Sequence, residues 1–237
     1  MKSTIWKANF FMFMVKSGIK QIKVEGLRKK GNNKEAEEMI IKYVADWGKN
    51  TIESTGSSVY VSGMENLPEG NCLFVGNHQG FFDVPLMLGY INKPMGFIAK
   101  KEMEKLPVIS YWMKQIKCIF MDRENVRESI KSINEGAEIL KNGYSMVIFP
   151  EGTRSKGMNI NEFKKGSMKL ATKANVPIVP VAINGTYKIY EGNNKKIAST
   201  DITLTICKPI YINELTKEEI GNLSETVKDI ITEKLGL

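Results

Sequence analysis

The sequence predicts an α/β protein in which a central, mostly buried sheet of about seven strands is flanked by helices. Short, continuously apolar segments recur along the chain, as expected for strands of a sheet that is covered on both faces. Segments with helical periodicity separate them, and an N-terminal two-helix amphipathic hairpin precedes them all. The predicted strands are Ser58–Val61, Cys72–Gly76, Met95–Ala99, Lys117–Met121, Ser145–Phe149, Ile178–Ile183 and Ile202–Cys207.

Two segments of the sheet region carry the clearest helical pattern. Apolar residues recur at helical spacing from Val126 to Leu140, and Gly143 is well placed to end that helix. A second helix is predicted from Lys217 to Leu235.

The chain divides into two parts at a short polar segment, Glu53–Ser57, which is typical of a hinge between packed elements. We predict that residues 1–50 form the helical hairpin and that residues 51–237 form the α/β domain. The chain shows no internal repeat and no low-complexity linker.

The segment from Asn77 to Asp83 contains the only histidine of the 237-residue chain, His78, and a carboxylate five positions after it. Imidazole takes up and releases protons near neutral pH, so His78 is the first candidate for a general base. On a regular helix, two residues five apart point about 140° away from each other and cannot meet. In a loop between a strand and a helix that begins at Asp83, the carboxylate can bond one ring nitrogen and leave the other available. The alternative is a turn histidine beside an N-cap aspartate.

A second polar loop, Pro150–Ser155, directly follows the predicted strand Ser145–Phe149. Open α/β sheets bind ligands at the carboxyl ends of their strands, so this loop and the histidine loop are expected to line one cleft. Arg154 offers a planar fork of donors that matches phosphate, and Gly152 permits close approach of the backbone to a ligand. An ordinary surface turn is the alternative for this loop taken alone.

Four ordered segments together resemble the signature of the glycerolipid acyltransferase superfamily, most closely its bacterial 1-acyl-sn-glycerol-3-phosphate acyltransferases. That signature is N-H-x-x-x-x-D, a strand that ends in D-R, F-P-E-G-T-R-S, and a proline-rich apolar strand. The matching segments here are Asn77–Asp83, Ile119–Arg123, Phe149–Ser155 and Val176–Ile183, and weaker matches occur at Ala99–Glu102 and Phe163–Gly166. The similarity covers residues 58–210 approximately and makes residues 51–237 an expected acyltransferase domain.

The resemblance implies transfer of a fatty acyl group from an acyl thioester to the sn-2 hydroxyl of lysophosphatidate, giving phosphatidate. His78 would act as general base, and Asp83 would orient it and stabilise the imidazolium. The acceptor phosphate and the loop that binds it would be held by Arg154, Glu151, Gly152, Thr153, Arg123 and Lys100. Glu151 is also a candidate for contacts with the hydroxyl groups of the acceptor.

Three further points of this function stay open in the sequence. The donor is acyl-CoA or acyl-carrier protein, and the acceptor is lysophosphatidate, glycerol 3-phosphate or another lysophospholipid. A non-catalytic module that binds anionic lipid is the alternative from a different class. His78 and Asp83 favour the enzyme, because a binding module has no need of a base beside its phosphate site.

Composition gives no support for a cofactor or a metal. Three cysteines, Cys72, Cys118 and Cys207, are dispersed without a C-x-x-C pair, and the chain has a single histidine. We therefore expect reduced thiols packed in the core, no metal and no cofactor beyond the acyl thioester that serves as co-substrate.

The net charge of +8 is concentrated near the N-terminus, where residues 1–50 hold eleven Lys or Arg against five Asp or Glu. Because these charges lie among large apolar residues and no nucleic-acid motif is present, an anionic lipid leaflet is a better partner than nucleic acid. The apolar run Phe10–Val15 is far shorter than the roughly 20 residues that span a bilayer. The residues predicted to contact the membrane are Trp6, Phe10, Phe11, Phe13, Met14, Lys16 and Lys20.

These features predict a peripheral or monotopic protein on the cytoplasmic face of the cell membrane. After a turn at Gly31–Asn33, the second helix of the hairpin places Met39, Ile40, Tyr43, Val44 and Trp47 on one face. The alternative is that the apolar faces of the hairpin pack on the α/β domain, as amphipathic helices usually do.

Overall fold

Seven strands form one sheet in the computed structural model, which describes the backbone of residues 2–237 and the side chains of residues 13 and 15–237. In chain order they are β1 (Ser58–Ser62), β2 (Leu73–Gly76), β3 (Met95–Lys100), β4 (Ile119–Met121), β5 (Ser145–Ile148), β6 (Ile178–Asn184) and β7 (Asp201–Ile206). Their order across the sheet is β1, β7, β6, β2, β5, β3, β4. Every neighbouring pair is parallel except β6 and β7. The predicted seven-stranded sheet is confirmed.

The described residues form seven α-helices beside the sheet. They are α1 (Lys2–Lys29), α2 (Asn33–Glu53), α3 (Asp83–Tyr90), α4 (Pro107–Gln115), α5 (Val126–Lys141), α6 (Lys169–Ala174) and α7 (Lys217–Leu235). The predicted bounds of α7 agree with the structure because a capping box, Thr216 with Glu219, fixes its first turn. The turn between α1 and α2 comprises residues 30–32, one position earlier than the predicted Gly31–Asn33, since α1 ends at Lys29 and α2 begins at Asn33.

The two faces of the sheet are covered by different sets of helices. In β2, Phe74 packs into the core cluster formed with α2, α3 and α4, whereas Leu73 and Val75 pack into the cluster formed with α5, α6 and α7. This alternation follows from the period of two in a β-strand. Because both faces are covered, the central strands are apolar at nearly every position, which is the pattern that made them recognisable in the sequence.

Helix α2 is part of the main core. Its buried residues, which include Ile40, Val44 and Ile52, belong to the same cluster as the apolar residues of α3. Two glycines allow the two helices to approach closely: a Cβ added at Gly48 would lie 2.5 Å from the carbonyl oxygen of Pro85, and one added at Gly89 would lie 2.3 Å from the amide nitrogen of Lys49. The predicted apolar face of α2 therefore packs on the α/β domain.

Helix α1 packs on α2 along one side only. Ser17 is buried and its hydroxyl lies 2.6 Å from the hydroxyl of Tyr43, and Val24 is also buried. The opposite side exposes Val15, Ile19 and Ile22. Among the described residues, no helix combines the length and the apolar character needed to cross a bilayer. The three cysteines are free thiols, and Cys72 and Cys207 are buried.

Gly48→Ala should destabilise the fold, because the new methyl group would overlap backbone atoms of α3 that cannot move away without separating the helices. The expected loss is about 1–3 kcal/mol in the free energy of unfolding, measured by chemical denaturation. Gly221→Ala is the matched control: it lies in α7 with open space around it, and should raise stability by about 0.5–1 kcal/mol. Equal stability of the two variants would contradict the close packing of α2 on α3.

Candidate active site

The histidine loop and the 150–155 loop meet at one edge of the sheet. Strands β2 and β5 are adjacent and parallel, so the loops that follow them leave the sheet side by side. Two backbone hydrogen bonds join the loops: Ser155 N–H donates to the carbonyl of His78 at 2.8 Å, and Lys156 N–H donates to that of Gln79 at 3.0 Å. The two loops therefore lie side by side, as predicted, at one edge of the sheet.

Asp83 is the first residue of α3, and its carboxylate is fully buried beneath His78. Its Oδ2 lies 2.6 Å from Nδ1 of His78 and also accepts a hydrogen bond from the backbone N–H of Gly80 at 2.9 Å. The other oxygen, Oδ1, accepts a hydrogen bond from the hydroxyl of Thr186. Both carboxylate oxygens are thus satisfied, and the predicted folding back of Asp83 onto the imidazole is present.

The ring of His78 is fixed on its face as well as at Nδ1. It stacks on Phe149 with a centroid distance of 4.2 Å and an interplanar angle of 11°. The side chain is 16% exposed, and Nε2 makes no hydrogen bond to any residue whose side chain the structure describes. A neutral imidazole that donates from Nδ1 to a carboxylate carries its lone pair on Nε2. The available nitrogen is therefore the one that can accept a proton from a ligand.

Glu151 is buried and binds the backbone of two loops. Its Oε1 accepts from the N–H of His78 at 2.6 Å, and its Oε2 accepts from the N–H of Asn161 at 2.9 Å. Burial raises the pKa of this carboxyl group, and the two backbone hydrogen bonds partly oppose that rise. Because each oxygen accepts a backbone hydrogen bond, Glu151 orders the two loops, and its contact with acceptor hydroxyls stays a prediction.

Two amide side chains tie the histidine loop to β6. The Asn77 amide donates to the carbonyl of Ile183 at 2.9 Å and accepts from its N–H at 2.8 Å, which continues the pairing between the strands. Gln79 accepts a hydrogen bond from the N–H of Gly185 at 2.9 Å. These bonds fix the loop on both sides of His78.

Arg123 holds the 150–155 loop through a hydrogen bond to the backbone of Gly152. Arg123 follows β4, and its Nη1 donates a hydrogen bond to the carbonyl of Gly152. Burial lowers the pKa of this guanidinium, and the nearby Glu102 opposes that effect. Gly152 has a φ of +70°, and a Cβ there would lie 3.0 Å from Nζ of Lys164, so this lysine also borders the loop.

The remaining predicted cations and loop residues lie at the rim. Lys100, the last residue of β3, is exposed and forms an ion pair with Glu102 at 2.7 Å. Thr153 is exposed in the loop. Arg154 is 39% exposed, and its Nη1 lies 2.7 Å from Oε1 of Glu191. The loop and its surroundings therefore bring three cationic side chains together, Arg123, Arg154 and Lys164, with Lys100 at the neighbouring strand end.

Two residues of this site, Thr186 and Glu191, are absent from the prediction. Each lies more than 100 positions beyond the histidine loop that it contacts. The only signal in the sequence is that both follow a predicted strand, β6, whose end reaches the same edge of the sheet. Among the described residues, no group of three His, Cys, Asp or Glu side chains is placed to hold a metal ion.

The site combines an imidazole bonded to a buried carboxylate with a neighbouring loop that carries cations, at one edge of an α/β sheet. Comparison with known protein families shows the class to which this arrangement belongs. The model of the Acyltransferase family matches residues 58–184, which are 127 of the 237 residues and include His78 and Asp83. The chain therefore belongs to the Acyltransferase family.

Within this family, the chain is similar to proteins named 1-acyl-sn-glycerol-3-phosphate acyltransferase. It is 36% identical over 154 residues to BAT2 of Brassica napus, covering 64% of this chain and 44% of that protein. It is 34% identical over 184 residues to a protein of Saccharomyces cerevisiae, covering 76% of this chain and 60% of that protein. A probable enzyme of Mycoplasma pneumoniae is 31% identical, with coverage of 70% and 68%. The chain thus spans about half the length of the plant and yeast relatives.

A solved structure shows the same fold over nearly the whole chain. The 1-acyl-sn-glycerophosphate (LPA) acyltransferase PlsC from Thermotoga maritima superposes with a TM-score of 0.87 at 27% identity. The superposition covers 99% of this chain and 93% of that one, so it includes the α1–α2 hairpin as well as the sheet.

Proposed function

We propose that the protein transfers a fatty acyl group from an acyl thioester, acyl-CoA or acyl-carrier protein, to the sn-2 hydroxyl of lysophosphatidate. The observation that carries this proposal is the buried Asp83 carboxylate bonded to Nδ1 of His78, which leaves Nε2 available at the cleft. The names of the relatives and of the Thermotoga maritima structure support lysophosphatidate as the acceptor. The product is phosphatidate.

The reaction needs one proton acceptor and no covalent enzyme intermediate. Nε2 of His78 takes the proton of the acceptor hydroxyl as its oxygen attacks the thioester carbonyl carbon. The tetrahedral intermediate collapses, the carbon–sulfur bond breaks, and the imidazolium returns the proton to the departing thiolate. Asp83 keeps its charge throughout and stabilises the imidazolium. General-base help of this kind contributes about 10²–10⁴ in rate.

The cations of the 150–155 loop position the acceptor. A phosphate monoester carries nearly two negative charges, and the donors of Arg154 match its oxygens. Arg123 keeps the Gly152 backbone in place, and Lys100, which forms an ion pair with Glu102, is a further phosphate-binding candidate at the rim. Phosphate held here would present the neighbouring glycerol hydroxyl to His78, and such positioning accounts for much of the catalysis.

We also propose that α1 attaches the enzyme to the anionic leaflet on the cytoplasmic face of the cell membrane. Its exposed side carries Ile19 and Ile22, which are 64% and 74% exposed, together with the exposed lysines Lys16, Lys20 and Lys23. Apolar side chains flanked by lysines are typical of a helix in the membrane interface. The side chains of Trp6, Phe10, Phe11 and Met14 lie outside the described residues, so their membrane contact stays a prediction.

Phe13 has a different environment from the other predicted membrane contacts. Its ring stacks on Tyr43 at 6.1 Å and on Trp47 at 5.9 Å, so it lies against α2. We assign it to the packing of the hairpin and assign the apolar part of the membrane contact to the Val15, Ile19 and Ile22 stripe.

His78→Ala should reduce thiol release from the acyl thioester to below about a hundredth of wild type, because no other side chain can replace the base. Asp83→Asn should also cause a large loss, since a neutral amide cannot stabilise imidazolium. The hydroxyl of Thr186 can reverse and accept from the new amide, so the fold should survive. Asp229→Asn on the exposed side of α7 is the control and should keep full activity. Turnover of His78→Ala above that level would exclude the general-base role.

Arg154→Ala should raise the KM for lysophosphatidate by about 10–100-fold, as expected when a charged hydrogen-bond donor to phosphate is lost. The KM for the thioester should change little. Arg154→Lys should restore only part of the loss, because a point charge cannot supply two parallel hydrogen bonds. Arg127→Ala, at an exposed position of α5, is the control. An unchanged acceptor KM with a raised thioester KM would place the phosphate elsewhere.

The double variant Ile19→Glu/Ile22→Glu should bind anionic vesicles at least about tenfold more weakly, because each buried isoleucine contributes about 1.5–3 kcal/mol. Replacing Lys16, Lys20 and Lys23 by Gln should remove mainly the salt-sensitive part of the binding free energy. That part is worth up to about 1 kcal/mol for each lysine. Ile220→Glu on α7 places one such substitution on the other face of the sheet and serves as control. Equal vesicle binding by the α1 and α7 variants would contradict this attachment.

A further inference from the structure

Glu191 connects the two loops of the active site through one oxygen. It lies in a 3-10 turn, Glu191–Asn193, that follows β6 in the chain. Its Oε1 accepts from Nη1 of Arg154 at 2.7 Å and from the backbone N–H of Phe81 at 2.9 Å. The Glu191 side chain is 8% exposed, whereas that of Arg154 is 39% exposed. A buried acceptor therefore holds the more exposed guanidinium.

The second oxygen of Glu191 has no favourable partner. Oε2 is buried and makes no hydrogen bond with any of the described residues. It lies against Gly80, where an added Cβ would be only 2.9 Å from it. Burying a carboxylate oxygen without a donor destabilises a fold, so Glu191 contributes less to stability than its burial suggests. The hydrogen bonds that Oε1 accepts from Arg154 and Phe81 offset the destabilisation caused by the unpaired Oε2.

We propose that Glu191 is a positioning residue that holds Arg154 in the orientation that receives the acceptor phosphate. This role rests on the function proposed above. The ion pair uses one N–H of the guanidinium and leaves its other donors for a ligand. Because the side chain is already ordered, it loses less rotational freedom when phosphate binds. Glu191 lies outside residues 58–184, the segment that the family model matches.

The test separates the hydrogen bond of Glu191 from its charge. Glu191→Ala should raise the KM for lysophosphatidate by about tenfold, the effect of a lost charged hydrogen bond, and leave the thioester KM nearly unchanged. Glu191→Gln should rescue most of this loss, since the amide oxygen can still accept from Arg154 and Phe81. Glu65→Ala, which removes an exposed glutamate from another 3-10 turn, is the control and should match wild type.

The Arg154→Ala background shows whether Glu191 acts through Arg154. There, Glu191→Ala should leave the acceptor KM unchanged, because the side chain that it positions is absent. An equal further rise in that background would assign Glu191 a general structural role and overturn the proposal. So would an unchanged or lowered acceptor KM in Glu191→Ala alone, the latter meaning that Glu191 competes with phosphate. Wild-type protein without acyl transfer would instead overturn the proposed function, and this role with it.

Discussion

The hydrogen bond between His78 and Asp83 is the interaction on which the rest of the site depends. A buried carboxylate is costly unless donors satisfy it, and here the imidazole, the backbone of Gly80 and the hydroxyl of Thr186 do so. Those three donors come from the loop after β2 and from the turn after β6. The chemistry at Nε2 therefore requires that β2 and β6 be paired in register, and the Asn77 amide extends that pairing into the loop.

The charged side chains at this edge of the sheet have separate tasks. Glu151 binds backbone N–H groups of two loops and is buried, so its charge serves loop order. Arg123 also orders a loop, because it donates a hydrogen bond to the Gly152 carbonyl. The Arg154 side chain is 39% exposed and is held from one side by Glu191. Glu151 and Arg123 fix the loops, whereas Arg154 stays partly open to solvent.

The sequence predicted the sheet well because its strands are buried on both faces and therefore form short apolar runs. It also predicted the loop that joins His78 to Asp83, since a spacing of five excludes a helix and the flanking segments are clear. Thr186 and Glu191 could not be predicted, because contacts across more than 100 positions depend on strand order, which local patterns do not encode. Periodicity likewise could not tell which apolar residues of α1 face α2, and Phe13 lies on that inner side.

The tautomer of His78 shows whether Nε2 can act as the general base. The chain has one histidine, so protein labelled with ¹⁵N at histidine gives the signals of a single imidazole. In the neutral ring, we expect a proton on Nδ1, bonded to Asp83, and no proton on Nε2. Asp83→Asn should reduce the fraction of the neutral ring that carries its proton on Nδ1. A neutral ring that carries its proton on Nε2 in the wild-type protein would contradict the account, because that nitrogen could not then accept the proton of the acceptor hydroxyl.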